Sequence, residues 1–206
     1  MRAHEDSWLV ARVDELVDRH VVSGELGCPV CGTRYPVREG VADFSLGATP
    51  PSGIEAGESH EARERLAVRA AALLGLTEPG GIVVLAGEWS AAAHEILTMT
   101  ENVQLLALDS ALGLRSGGAL SLALIAELLP LAHGSVRGIA LDARHATPSL
   151  TAGAARALIP GGRLLAPVSA LLPESLQELA RDDEHWLATT ISQTTVSAPV
   201  AIGTRR

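Results

Sequence analysis

The fold is decided by residues 127–168, which read ELLPLAHGSVRGIALDARHATPSLTAGAARALIPGGRLLAPV. Residues 136–141 form a short apolar run, which is typical of a strand buried on both faces. From Pro148 onward the apolar residues recur at helical spacing. Residues 159–162, Ile-Pro-Gly-Gly, are expected to stop this helix because proline cannot continue it and glycine accepts a left-handed turn. Residues 163–168 return to a strand pattern, so the stretch predicts one right-handed βαβ unit of a parallel sheet.

Similar patterns on both sides of this unit extend the prediction. Helices are expected over residues 60–76, after a capping residue at Ser90, and over residues 171–180. Further strands are expected at residues 82–86, 103–108, 120–125, 186–191 and 198–204. Together these elements predict an α/β fold in which helices cover both faces of a doubly wound, mostly parallel, seven-stranded sheet.

Length and composition limit the classes of protein to consider. The 206 residues allow one domain of about 150 residues and a small module. A formal net charge of −8 argues against a broad phosphate-binding face, so a nucleic-acid partner is not expected. No apolar run approaches the ~20 residues of a membrane-spanning helix, and the charged start MRAHEDSW does not resemble a signal peptide. We therefore expect a cytoplasmic protein without a membrane segment.

The N-terminal part is predicted to form a small ribbon-like module over residues 1–46. Residues 7–22 show helical periodicity, and short strands are expected on either side of residues 38–39. Between them, Cys28 and Cys31 form a Cys-x-x-Cys knuckle, in which two thiolates at one tight turn can face a metal ion. A Gly-, Pro- and Ser-rich linker over residues 47–59 separates this module from a second domain, residues 60–206.

Two motifs in the second domain carry a resemblance to a known family. LLPLAHGSVRGIALD followed by ARALIPGGRLL is similar to the second half of class I S-adenosylmethionine-dependent methyltransferases. That family has an LP-x-x-x-x-S-hydrophobic loop before its fourth strand and an L-x-PGG-x-L turn before its fifth. The matching residues are Leu129, Pro130, Ser135, Val136, Leu158, Pro160, Gly161, Gly162 and Leu164. The resemblance implies a methyltransferase-like domain with S-adenosylmethionine as its cofactor and an unknown substrate.

The same resemblance assigns candidate cofactor residues, with departures. After the first strand the family has an acidic residue and then Gly-x-Gly-x-Gly; here Leu85 replaces the acid, and of the glycines Gly87 remains while Trp89 takes the second position. Asp109, which ends the second strand, can accept hydrogen bonds from ribose hydroxyls, although it can equally cap a helix. In the family an acidic residue after the third strand often contacts the adenine amino group, and here that residue could only be Glu127. The cofactor-binding candidates are therefore Gly87, Trp89, Asp109 and Glu127.

Two residues after the fourth strand are candidate catalytic groups. Asp142 and His145 occupy the place where many class I methyltransferases keep catalytic residues. A histidine there can serve as a general base near neutral pH. The alternative is an ordinary solvated loop histidine beside Arg144.

Residues 26–41 resemble the closing half of the small zinc-ribbon family that activates tRNA, ribosomal and release-factor methyltransferases. The matching residues are Leu26, Cys28, Cys31, Gly32, Tyr35, Pro36, Val37 and Gly40. A structural zinc site needs four ligands, and no second cysteine pair lies upstream. Three interpretations stay open: the module has lost its metal, Cys28 and Cys31 bind zinc with His20 or Asp18, or two chains of a homodimer share one site.

The sequence thus supports two main functions. One is an S-adenosylmethionine-dependent methyltransferase of unknown substrate. The other is a pseudoenzyme, that is, a non-catalytic methyltransferase-like scaffold or regulatory partner, favoured by Leu85, by the two missing glycines and by the half zinc site. A redox role for Cys28 and Cys31 is less favoured because no thioredoxin-like βαβ pattern surrounds them.

Overall fold

The computed structural model describes residues 8–47, 59–110 and 113–191, and in this part of the chain it contains one sheet. Its eleven strands follow the order β1-β2-β3-β4-β7-β6-β5-β8-β9-β11-β10. The strands are β1 (Val10–Val17), β2 (His20–Gly27), β3 (Arg34–Arg38), β4 (Val41–Asp43), β5 (Ile82–Ala86), β6 (Gln104–Leu108), β7 (Leu120–Leu124), β8 (Val136–Ala140), β9 (Leu158–Pro167), β10 (Leu176–Arg181) and β11 (His185–Thr190). The helices are α1 (His60–Leu74), α2 (Ala93–Met99), α3 (Pro148–Ala157) and a 3-10 helix at Gly87–Ala92.

The centre of the sheet confirms the predicted doubly wound arrangement. Strands β4, β7, β6, β5, β8 and β9 are mutually parallel neighbours. The predicted βαβ unit is β8, α3 and β9; Thr147 caps α3 by accepting a hydrogen bond from the backbone N–H of Leu150, and Pro148 starts the helix. Chain order reverses between β5 and β8, which makes this the switch point of the sheet.

Alternation along the central strands builds two separate cores. Val83 and Leu85 of β5 point into a core closed by α1 and α2, while Val84 and Ala86 point into the core under α3. All four side chains are fully buried. Helices therefore cover both faces of the sheet, as a buried parallel sheet requires.

The predicted seven-stranded, mostly parallel sheet is too small, because the N-terminal module joins the same sheet. Strand β4 runs parallel to β7, with Val41 opposite Leu122 and Asp43 opposite Leu124. Without this pairing β7 would be an open edge with unpaired backbone groups. The result is a mixed sheet, since β1 to β4 are antiparallel to one another and β11 is antiparallel to both β9 and β10.

The helix predicted over residues 7–22 is wrong, because its described residues belong to the hairpin of β1 and β2. Asp18 and Arg19 form the two-residue turn, with φ of 46° and 70°, and Val17 pairs with His20. Positive φ at both turn positions is the geometry that suits a two-residue hairpin. All eight residues of β1 are exposed, so a helical apolar stripe would find no surface to cover it.

The helix predicted over residues 171–180 is also wrong, because that segment leads into β10. The Asp182 carboxylate accepts hydrogen bonds from the backbone N–H groups of Glu184 and His185 and turns the chain into β11. Strands β10 and β11 form an antiparallel pair at this edge of the sheet. The strand predicted at residues 198–204 lies outside the described residues.

Two local predictions also need correction. Ser90 does not cap α2, because it lies inside the 3-10 helix Gly87–Ala92 and its hydroxyl donates to the Gly87 carbonyl oxygen at 2.6 Å. The Pro160-Gly161-Gly162 segment does not separate α3 from β9, because β9 already begins at Leu158; Gly161 has a φ of +77° within that irregular start.

Among the described residues, none of the helices combines the length and the apolar character needed to cross a lipid bilayer.

Two leucines distinguish the observed β10 from the predicted helix, which would have turned both inward. Leu176 is 5% exposed and packs in the α3 core, whereas Leu179 is 49% exposed. We expect Leu176→Ala to lower the free energy of unfolding by about 2–4 kcal/mol. Leu179→Ala is the matched control and should change it by less than about 0.5 kcal/mol. Urea unfolding measures both, and equal losses for the two variants would contradict the strand.

Candidate functional site

Three predicted site residues meet at the carboxyl edge of the sheet, around its switch point. Gly87 directly follows β5, Asp109 directly follows β6, and Asp142 comes just after β8. Strands β6 and β8 both flank β5. Their carboxyl ends therefore stand two strand spacings apart, about 10 Å. This is the crevice in which doubly wound folds bind ligands.

The imidazole of His145 bridges this gap. Its Nε2 lies 2.8 Å from Oδ2 of Asp109, and its Nδ1 lies 2.5 Å from Oδ1 of Asp142. All three residues are buried, with 3–4% of their surface exposed. The two carboxylates and the ring thus form a continuous chain of hydrogen bonds across the carboxyl end of β5. We call these three residues the His145 bridge.

Backbone groups hold both carboxylates in place. Oδ1 of Asp109 accepts from the N–H of Ile125 at 3.1 Å. Oδ1 of Asp142 accepts from its neighbours two and three residues along, and Oδ2 accepts from the N–H of Glu88 at 3.3 Å. Every carboxylate oxygen of the bridge therefore has a partner. Asp109 keeps a left-handed backbone, with a φ of 46°, within this network.

The bridge carries a charged imidazole. Burial by itself lowers the pKa of His145, but hydrogen bonds and charge from Asp109 and Asp142 outweigh burial and raise that pKa to about 9. Burial also tends to raise the pKa of Asp142, yet its contacts with His145 and with the backbone leave that pKa lowered. At neutral pH both ring N–H groups of His145 donate to carboxylates. The ring then has no lone pair with which to act as a general base.

Gly87 explains why the crevice is filled at this point. Its φ is +57°, and a Cβ added to it would lie 1.9 Å from Oδ2 of Asp142. The Asp142 carboxylate occupies the space that opens beside this glycine. Only glycine permits this close approach and this backbone conformation together.

Trp89 does not enter the crevice. It is 1% exposed, and its Nε1 donates to the carbonyl oxygen of Leu141 at 3.3 Å. Its ring meets the ring of His185 edge-on at 5.4 Å, with the guanidinium of Arg69 at 6.0 Å from its centroid. The indole thus belongs to the core beneath α1. Leu85, which replaces the acidic residue, is fully buried in the same core.

Glu127 lies two residues beyond Ile125, whose N–H donates to Asp109. It lies exposed in the loop after β7, and the contact recorded for it is through its backbone carbonyl oxygen, which accepts from the Ser149 hydroxyl at 3.0 Å. The structure therefore groups Gly87, Asp109, Asp142 and His145 at one place, and Glu127 is not part of their hydrogen-bond network.

The residues present do not fit S-adenosylmethionine in this arrangement. Both oxygens of Asp109, the expected ribose acceptor, are already engaged within the protein. The Asp142 carboxylate fills the space beside Gly87. The indole of Trp89, which packs in the core beneath α1, does not add to this obstruction. With its side chain 2% exposed, Asp109 offers no accessible surface to a ribose hydroxyl in this arrangement.

The predicted zinc ligands lie in two places. Cys28 is buried and Cys31 exposed, and Sγ of Cys31 lies 3.0 Å from the Thr33 hydroxyl. Asp18 and His20 lie at the opposite end of β2, roughly 25 Å away for an extended strand of this length. The structure therefore does not bring Cys28 and Cys31 together with His20 or Asp18. Among the described residues, no three His, Cys, Asp or Glu side chains are grouped so that they could hold a metal ion.

Arg137 has a role that the sequence did not reveal. Its guanidinium donates to the carbonyl oxygens of Gly75, Glu78 and Gly80 at 2.6–3.1 Å. It thereby fixes the segment between α1 and β5 from the edge of the sheet opposite the crevice. An arginine near the start of a buried strand does not by itself predict a backbone clamp.

Comparisons with known proteins find similarity to solved structures only. No family model matches the chain, and no curated protein matches it. The chain is similar to a chain of the complex between the Haloferax volcanii Trm112 methyltransferase activator and a candidate methyltransferase, with 22% identity over 53% of this chain and 57% of that one and a TM-score of 0.39.

Two further solved structures are similar at comparable levels. Geranyl diphosphate C-methyltransferase from Streptomyces coelicolor, in complex with S-adenosyl-L-homocysteine, is 16% identical over 52% of this chain and 46% of that one, with a TM-score of 0.43. Phosphoethanolamine N-methyltransferase 2 from Haemonchus contortus, in complex with S-adenosyl-L-methionine, is 16% identical over 54% and 30%, with a TM-score of 0.42. The aligned part thus spans 30–57% of these three chains.

The raised pKa of His145 gives a pH dependence of stability with a definite sign. A histidine whose pKa rises from 6.5 to about 9 on folding stabilises the folded state fully below pH 6.5. That contribution is lost as the pH rises through about 9. We expect the urea midpoint of the wild type to fall across this window more steeply than that of His145→Gln. Parallel curves for the two proteins would contradict a charged bridge.

The position of the cysteines predicts weak metal retention. Two thiols without a third nearby ligand do not make a closed zinc site. Metal analysis of the dialysed protein should give far less than one zinc per chain, with no change in Cys28→Ser. One equivalent that disappears in Cys28→Ser would contradict this, and half an equivalent would indicate a site shared by two chains.

Proposed function

We propose that this chain is a methyltransferase-like protein that does not hold S-adenosylmethionine in the usual crevice and that works as a non-catalytic scaffold or regulatory partner. The observation that carries the proposal is the His145 bridge, whose three buried side chains fill the crevice beside Gly87. The proposed division of the chain is a ribbon-like module of residues 1–46, a linker of residues 47–59 and a methyltransferase-like domain of residues 60–206.

The energy needed to open the bridge supports this proposal. If His145 left its place, two buried carboxylates would lose their cationic partner. Breaking a buried pair in this way costs about 3–5 kcal/mol. At tenfold per 1.4 kcal/mol, that cost weakens ligand binding by roughly a hundredfold to a few thousandfold. A cofactor site of micromolar affinity would become a millimolar one.

The catalytic candidates support the same proposal. Asp142 and His145 are both nearly fully buried and bonded to each other, so neither presents a free proton acceptor to a substrate at neutral pH. Methyl transfer relies mainly on alignment of the reacting groups rather than on a fixed set of catalytic residues. A filled crevice removes that alignment.

The second candidate is an S-adenosylmethionine-dependent methyltransferase of unknown substrate. It is favoured by the position of Gly87 and Asp109 at the carboxyl ends of adjacent parallel strands, where such a cofactor would lie. This function needs a second arrangement of the chain, in which His145 has moved out and Asp109 faces the ligand.

Calorimetry separates the two functions. We expect no binding of micromolar affinity when the wild type is titrated with S-adenosylmethionine or S-adenosylhomocysteine. The exposed-site variant Leu179→Ala is the matched control and should behave like the wild type.

Clear binding that Asp109→Asn weakens by about 1–3 kcal/mol, the scale of one lost buried hydrogen-bonding group, would overturn the scaffold proposal in favour of the methyltransferase. Circular dichroism of each variant checks that the fold is kept. Binding that Asp109→Asn leaves unchanged would place the ligand elsewhere on the molecule and leave the crevice closed.

A further inference from the structure

Strand β1 ends the sheet with an open backbone edge. It pairs with β2 on one side, and no described strand lies on its other side. An open edge presents unpaired N–H and C=O groups to any strand that can reach it. Proteins usually protect such an edge or cover it.

The side chains of this edge are unusually apolar for a surface strand. Trp8, just before β1, is 80% exposed, and Val10, Leu16 and Val17 are 50–63% exposed. Val13 adds a fifth apolar side chain at 45%. Apolar groups gathered along one open edge are typical of a surface that another chain covers.

Apart from the central pair of Val13 and Asp14, the chemistry of β1 is similar in both directions, which suits a second copy of the same chain as the partner. About a midpoint between residues 13 and 14, Val10 mirrors Val17, and Ala11 mirrors Leu16. Arg12 mirrors Glu15, a cation opposite an anion. The first pair beyond the strand, Leu9 and Asp18, is not matched in chemistry, and in the second pair Trp8 mirrors Arg19, an aromatic ring opposite a cation. A two-fold axis at this midpoint brings each of these pairs together across two antiparallel strands.

We propose that β1 pairs antiparallel with β1 of a second copy of this chain, joining two eleven-stranded sheets into one. The proposal concerns the edge of the sheet and is independent of what the crevice binds. It commits to a self-complementary register, in which Arg12 of each copy faces Glu15 of the other.

The charges that lie along β1 agree with this register. Arg12 contacts Asp14 and Glu25 at 3.2 Å, yet its side chain stays 61% exposed and keeps donors to spare. For Glu15 and Arg19 the structure gives no ion pair within the part of the chain that it describes. A second copy supplies a partner for each of them.

The β-bulge of β1 lies close to the proposed two-fold axis, where it does not interrupt the paired segments. The pairing with β2 shifts on both sides of Glu15 and leaves Asp14 without a partner residue. The proposed axis passes beside Asp14, so the two halves of the ladder, Val10–Arg12 against Glu15–Val17, lie on either side of it. The axis also sends the two Cys28-Cys31 knuckles to opposite ends of the joint, so this pairing does not create a shared metal site.

Two single charge reversals and their mixture test the register. Sedimentation equilibrium over a wide range of concentration should show a dimer for the wild type. Arg12→Glu puts two like-charged pairs across the axis, and so does Glu15→Arg; each should raise the dimer dissociation constant at least about tenfold. Mixing the two variants pairs Glu with Arg at every position, so a heterodimer of near wild-type affinity should form. The double variant should also dimerise.

Controls make each outcome decisive. Leu171→Glu changes an 80% exposed residue in the loop after β9 and should leave the dimer intact. Circular dichroism shows that each variant is folded. A wild type that stays monomeric at every concentration, or that pairs only with an added strand from another protein, overturns the proposal. So does a dimer that both single variants retain, or a mixture of variants that forms no heterodimer.

Discussion

The buried bridge between Asp109, His145 and Asp142 is the interaction on which the character of this protein depends. Two carboxylates at the ends of β6 and β8 would repel each other across β5 if no cation stood between them. The imidazolium removes that conflict and raises its own pKa in doing so. The bare backbone of Gly87 and the left-handed backbone of Asp109 both serve this arrangement. One set of contacts thus stabilises the sheet and closes its crevice.

The central strands could be predicted from the sequence because their environment leaves little choice. A strand buried on both faces must be mostly apolar, and β5, β6, β7 and β8 satisfy this condition apart from Gln104, Ser121 and Arg137. The two ends of the sheet could not be predicted in this way. The segments that became β1 and β10 carry apolar residues at helical spacing, and in short segments periodicity alone does not distinguish a helix from a strand. Short turns at Asp18 and at Asp182 fold each of these segments into a hairpin with the next strand.

The site was predicted in its parts and missed as a whole. Asp109, Asp142 and His145 each follow a central strand, so the sequence placed them at the correct edge. Their mutual contact depends on β6 and β8 being neighbours of the same strand, which the sequence alone does not state. The proposed zinc ligands do not meet, for a related reason. A helix before Cys28 would have kept His20 within reach, whereas an extended β2 carries it to the far end of the module.

The parallel pairing of β4 with β7 makes the N-terminal module part of the main sheet. Backbone pairs from Val41 to Asp43, a further bond from the N–H of Phe44 to Leu124, and the His20 ring against the carbonyl oxygen of Gly118 hold it there. A protease that cuts between residues 47 and 59 would therefore nick the chain without releasing either fragment. The module is also unsuited to transplantation as an autonomous unit, because its last strand is completed only by the sheet it leaves behind.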